Sequence, residues 1–206
     1  MSQVRITSVS PPFDSPGTAQ RAAETIARAE GMGLLGDSRI EHLDLTSFRD
    51  VVGRIADAGI GREVEAALAS PGVGGEDVDR LLDRLLDALE ESPAPEYEWR
   101  ALLEHFGHER LAELTGTSPA SVRRYASGER DTPDPVAARL HLLAAVVGDL
   151  AGAYNPFGIR RWFDRARTAL DGRAPSDLLT GDWSPDQPGP RSVRELAESL
   201  VASPAT

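Results

Sequence analysis

The 206-residue chain contains no cysteine and no lysine. The first absence excludes a disulfide framework, a thiolate metal site and a cysteine nucleophile, and it fits a reducing compartment. The second leaves arginine to supply all 22 basic charges against 33 acids, for a formal net charge of -11. No apolar run approaches the about 20 residues needed to span a bilayer. The opening MSQVRITSVSPPFDSPG lacks the positive start and apolar core of a secretory signal. A cytoplasmic protein with no membrane partner is therefore expected.

What is present is unevenly placed. A hydrophobic content of 40% over this length allows one good-sized core or two small ones. Residues 1–95 carry 9 arginines and 17 acids, whereas residues 119–173 carry 9 arginines and 6 acids. The overall negative charge thus conceals a locally basic region. Screening over about 8 to 10 Å at physiological salt lets such a region act despite distant acidic surface.

The pattern along the chain is helical, and an all-α fold is predicted. Residues 1–17, rich in Ser, Pro and Gly, read as a flexible arm, with VRITSV making one strand or nothing. TAQRAAETIARAE, Thr18 to Glu30, is a helix that exits through GMGLLG. Ser47 is placed to cap a helix carrying Phe48, Val51, Val52 and Ile55, and Val64, Ala67 and Leu68 suggest a short helix ended by Pro71. EDVDRLLDRLLDALEES, residues 76–92, sets Val78, Leu81, Leu82, Leu85, Leu86 and Leu89 at steps of three and four. Packing within its own bundle is preferred to a dimer seam, because two heptads are too few for a coiled coil. These segments make residues 18–92 an acidic helical region, and SPAPEY then marks a boundary.

Beyond it, helices are predicted over Glu98–Phe106, Glu109–Leu114, Pro119–Ser127 and Pro135–Ala151. Another runs from Pro156 to Leu170, ended by Asp171-Gly172. A short PSDLL turn, a Pro/Gly-rich loop and a final helix from Ser192 to about Val201 follow. The predicted divisions are 98–151 for a DNA-binding domain and 152–206 for a small helical C-terminal domain.

LAELTGTSPASVRRYASGER, residues 111–130, has the residues that a helix-turn-helix needs. Ala112 is small where the helices touch, Gly116 suits the left-handed turn, and Val122 and Tyr125 face inward. Leu111 and Leu114 give the first helix its buried side, Ser118 is placed to cap the second helix and Pro119 to open it. With Val122 and Tyr125 inside, Ser118, Pro119, Ala120, Ser121, Arg123, Arg124 and Ser127 remain to face a DNA groove. Arginine contacts guanine bidentately or binds phosphate. Arg123 is the first choice for a base, Arg124 for base or phosphate, and Arg130 and Arg139 for phosphate. The bland alternative is a helix pair that only packs, with Arg123 and Arg124 on a solvated face.

This stretch, together with VAARLHLLAAVVGDL and RRWFDRARTALDGRAPSDLL, resembles the Xre-like antitoxins of the MbcA/ParS/Xre type over roughly residues 98–200. Trp162, Leu170, Gly172, Pro175, Leu178 and Leu179 fit the family's C-terminal spacing. The resemblance implies a helix-turn-helix followed by a toxin-binding domain, neutralisation of a RES-type toxin that degrades NAD, and repression of the antitoxin's own operon. It implies a partner-binding role for the region of Arg160, Arg161, Trp162 and Arg165. From the residues alone, Trp162, Phe163 and Leu170 lie at spacings that suit core or interface, core being the commoner fate. Arg160, Arg161, Arg165 and Arg167 form the densest basic run, suited to a partner's acids, to phosphates or to solubility. A stand-alone regulator without a toxin, and a protein-interaction module that binds no DNA, remain open alternatives.

Chemistry of other kinds finds no support. GMGLLG matches G-x-G-x-x-G but follows a helix where a dinucleotide site needs a strand. His105 and His108 in EHFGHE lack a third ligand and the order of zinc-protease motifs. GVGGED lacks the P-loop lysine, and carboxylates are too abundant for a pair of them to mean acid-base catalysis. No enzyme activity, cofactor or metal is expected. The expected partners are operator DNA, a RES-type toxin and a second copy, since one short helix reads only a half-site.

Overall fold

The computed structural model describes residues 6–36, 38–70 and 72–202, with residues 201 and 202 described by backbone alone. The fold is all-α: the described residues form ten helices and one 3-10 turn, with a single pair of two-residue strands among them. The chain forms two compact units, Met1–Ser92 and Pro93–Thr206.

In the first unit, α1 (Pro16–Gly31) packs on α4 (Gly75–Glu91), while α2 (Leu45–Asp57) and α3 (Arg62–Leu68) complete the bundle. The apolar stripe of α4 is core: Val78, Leu81, Leu82, Leu85 and Leu89 are all buried within the unit. Arg21 pairs with Asp79 at 2.6 Å, and Arg28 pairs with Glu90, tying α1 to α4.

Two sequence expectations are corrected here. The cap of α2 is Asp44, whose carboxylate accepts from the Ser47 amide at 2.8 Å, while Ser47 Oγ accepts from the Asp44 amide at 3.0 Å. Ser47 thus completes a capping box from inside the helix. Residues 6–17 are no flexible arm. β1 (Ser8–Val9) pairs in parallel with β2 (His42–Leu43), and Phe13 is fully buried against Phe48, ring centroids 5.1 Å apart. Residues 1–5 of the expected arm, and Pro71, lie outside the described residues.

The second unit is built around α7 (Asp134–Ala151), buried along nearly its whole length. It packs against α5 (Pro95–Thr115), α8 (Pro156–Asp164) and α10 (Pro188–Ala202). Because α7 is the common centre, residues 98–151 and 152–206 form one compact unit where two domains were expected. The three polar side chains that α7 buries each meet a polar partner, as burial of a polar or charged group requires. Arg139 pairs with Asp182, His141 with Glu98 at 2.6 Å, and Asp149 with Arg194.

The helix expected from Pro156 to Leu170 ends at Asp164. Arg165 turns extended (φ -97°, ψ 125°), and Arg167 bridges to Arg173 around a 3-10 turn, Thr168–Leu170. Asp171 and Gly172, both at positive φ, close that loop. The PSDL segment forms α9 (Pro175–Leu178).

Candidate nucleic-acid interface

α5 breaks its direction at Gly107 (φ 69°, ψ 176°), giving arms over residues 95–106 and 108–115. The second arm, the turn at Gly116 and α6 (Pro119–Ala126) form the helix-turn-helix. Gly116 has φ 67°, the left-handed region where a Cβ is disfavoured. Its space is closed as well: a Cβ there would lie 2.3 Å from the carbonyl oxygen of Gly181. Ser118 caps α6, its Oγ accepting from the Ser121 amide at 3.1 Å and donating to Ser121 Oγ at 3.0 Å. Pro119 occupies the first turn, where its missing N–H costs nothing.

The inner side of α6 is firmly held. Val122 and Tyr125 are buried, and Tyr125 stacks on the buried Trp99, centroids 5.7 Å apart at 22°. The Trp99 indole donates to Thr132 Oγ1 at 2.9 Å, so the same tryptophan anchors both α6 and the segment beyond it. On the outer side Ser118, Ala120, Arg123, Arg124 and Ser127 are exposed, with Pro119 and Ser121 half-buried. Arg123 and Arg124 therefore stand side by side on a helix that cannot roll without breaking the Trp99–Tyr125 stack. Arg130, also exposed, lies over the Tyr125 ring at 5.6 Å from its centroid, and its amide donates to the Arg124 carbonyl.

Arg139 is not on this surface. It is buried, 6% exposed, and its guanidinium donates to the carbonyls of Thr115 and Trp183 and pairs with Asp182. As a phosphate ligand it is ruled out by its own bonding. The sequence signal for this was a polar residue inside an apolar helix, which calls for an internal partner. Trp183 and Gly181, which share the site with it, carried no such signal.

The second expected set divides similarly. Trp162 is 1% exposed, packed edge-on against Phe163 at 5.3 Å, with Phe163 against Phe106 at 5.0 Å. It is core and offers no surface to a partner, because Ile159, Trp162 and Phe163 share the inner side of α8. The opposite side carries Phe157, Arg160 and Arg161, with Arg165 following, all exposed. Phe157 is 65% exposed. Arg160 Nη1 donates to the His105 carbonyl at 3.1 Å, fixing the base of this face to α5.

No group of three or more metal-ligating side chains occurs among the described residues, and no helix among them is long and apolar enough to cross a membrane. No family model, curated protein or solved structure matches this chain.

Proposed function

We propose that the chain is a cytoplasmic, sequence-specific DNA-binding transcription regulator that lays α6 in the major groove of an operator and performs no catalysis of its own. The observation that carries this reading is the exposed pair Arg123–Arg124 on a helix whose other side is locked by Val122, Tyr125 and Trp99. Arg123 serves base readout, Arg124 base or phosphate, and Arg130 phosphate, with Ser118, Pro119, Ala120, Ser121 and Ser127 lining the contact. Because α6 is short, two copies bound as a dimer would be needed to read a full site.

Gel-shift titration on duplexes from upstream of the chain's own coding sequence tests it. Arg123→Ala with Arg124→Ala should weaken binding by at least tenfold, since one base-reading arginine is worth about 1 to 3 kcal/mol. Wild-type binding should fall steeply with salt. Equal binding by both proteins across the salt series would sink the proposal.

The likeness to Xre-type antitoxins extends the reading to a toxin partner. Phe157, exposed beside Arg160, Arg161 and Arg165 on one side of α8, favours a protein contact there. Co-expression with a RES-type enzyme from the neighbouring gene should yield a co-purifying complex and prevent NAD loss. Free NAD consumption in the mixture would leave a stand-alone regulator, and failure on DNA as well would leave an interaction module.

A further inference from the structure

The last four carbonyls of any helix lack intrahelical partners and must be satisfied from elsewhere. In the first helix of the helix-turn-helix these belong to Ala112, Glu113, Leu114 and Thr115. The turn itself supplies two donors: the Thr117 amide reaches the Ala112 carbonyl at 2.9 Å, and the Gly116 amide the Glu113 carbonyl at 3.2 Å. The other two come from far along the chain. Trp183 Nε1 donates to the Leu114 carbonyl at 2.9 Å, and Arg139 Nη1 to the Thr115 carbonyl at 3.0 Å.

These two side chains are joined to each other. Arg139 Nε donates to the Trp183 carbonyl, and its guanidinium lies 5.9 Å from the Trp183 ring centroid. Asp182 holds the remaining guanidinium nitrogen from the solvent side. The backbone of Gly181 presses on Gly116 so closely that no side chain fits between them. The turn that sets the angle of α6 is thus braced on one side by α7 and by the loop leading from α9 to α10.

We propose that Arg139 and Trp183 are positioning residues for the DNA-reading helix. Together with the loop at 181–183 they form a clamp through which α9 and α10 govern the pose of Arg123 and Arg124. This rests on the DNA-binding reading and adds its control point. A ligand or protein that shifts α10 would act on DNA affinity through Trp183 without touching α6, because two carbonyls at the turn would lose their donors.

The test compares Trp183→Phe with Trp162→Phe in the full chain. Both tryptophans are buried, but the Trp162 indole nitrogen has no hydrogen-bond partner, whereas that of Trp183 bonds the turn. Trp183→Phe should lower affinity for the upstream duplex by roughly tenfold, the worth of one buried hydrogen bond, and speed hydrogen exchange at the Gly116 and Thr117 amides. Trp162→Phe should stay within about twofold on both measures. Equal effects of the two substitutions would overturn the clamp.

If wild type and the Arg123→Ala, Arg124→Ala double variant bind DNA alike, the DNA reading has failed, and the amide exchange alone decides the clamp. Should Trp183→Phe not fold, the wild-type protein still answers. Its Trp183 indole proton must exchange as slowly as the amides of α5, and exchange at the rate of an exposed indole would overturn the proposal.

Discussion

In the first unit Arg21 and Arg28 turn toward the acids of α4 and hold two helices side by side. In the second, Arg123 and Arg124 turn away from the chain while Arg139 is drawn inside it to bond two main-chain carbonyls. One residue type serves as interhelical tie, as exposed reader and as internal brace, and what separates the three is the neighbour each meets. Arg21 meets Asp79 where both side chains keep about a third of their surface in water, so that tie can be lost at modest cost. Arg139 faces carbonyls that have no other donor among the described residues, so its loss exposes a defect in the turn. The second unit should consequently be the more sensitive of the two to single substitutions near its functional surface.

The largest effect should come from the ring that anchors that surface. Trp99→Ala removes a fully buried side chain, its stack with Tyr125 and its bond to Thr132, and should cost about 3 to 5 kcal/mol. Leu82→Ala, fully buried in the first unit, should cost about 2 to 5 kcal/mol. In urea unfolding followed by residue-resolved exchange, Trp99→Ala should destabilise 93–202 and leave 6–92 unchanged, and Leu82→Ala should do the reverse. Loss of both units together in either variant would show that the contrast between them does not extend to stability.

A finer contrast lies within the second unit. Gly116 and Gly128 share a positive φ, 67° and 71°. A Cβ at Gly128 meets open space, whereas at Gly116 it would strike the Gly181 carbonyl and the Arg139 guanidinium. Gly128→Ala should therefore cost about 1 kcal/mol from backbone strain alone. Gly116→Ala should cost about 3 kcal/mol, strain plus displacement of the clamp. Thermal denaturation of the two variants checks this, and equal losses would mean that the contact of Gly181 and Arg139 with the turn adds nothing.

Much of this architecture was legible because it is local. Ser118, Pro119 and Gly128 bound α6 by capping and turn chemistry, and Val122 and Tyr125 fall on its inner side by helical spacing alone. What escaped depends on partners distant in sequence. Phe13 sits in a Ser/Pro-rich stretch that looks unstructured until Phe48 is beside it. Arg165 to Arg167 have ordinary helix formers around them, yet the bridge to Arg173 pulls them extended. Arg139 looked like one more surface arginine, although its place on an apolar helix was a readable warning. Trp162 shares spacing with Ile159 and Phe163, which already marked it as core, and only the expectation of a partner placed it outside.

Smaller effects separate stability from function. Ser15 and Ser118 cap α1 and α6 with the same geometry, each accepting an amide three residues on at 3.1 Å. Replacement of either by alanine should cost about 1 kcal/mol. Under the DNA-binding reading, only Ser118→Ala should also weaken the gel shift, by a few-fold, since Ser118 lies at the groove-facing end of α6. A gel-shift loss of the same size in Ser15→Ala would mean that affinity merely follows stability.

The smallest effect concerns acid. Burial pushes the His105 ring below the ordinary histidine value of 6.5; neighbouring Glu104 pulls it upward and Arg160 downward. The unfolded chain then binds the proton more readily than the folded one. Stability accordingly declines as pH falls from about 6.5 through the lower folded value. The perturbed carboxylates of the first unit behave differently. Hydrogen bonds from Arg21 and Thr18 hold Asp79 below its usual 3.8, and the Ser47 amide does the same for Asp44. Their contribution persists until pH drops below about 3.8 and is lost only as it passes their folded values. Between pH 7 and 5.5, unfolding of the second unit should shift to lower temperature in wild type and shift less in His105→Gln. An unaltered pH slope in that variant would remove His105 as the cause and, with it, this last difference between the units.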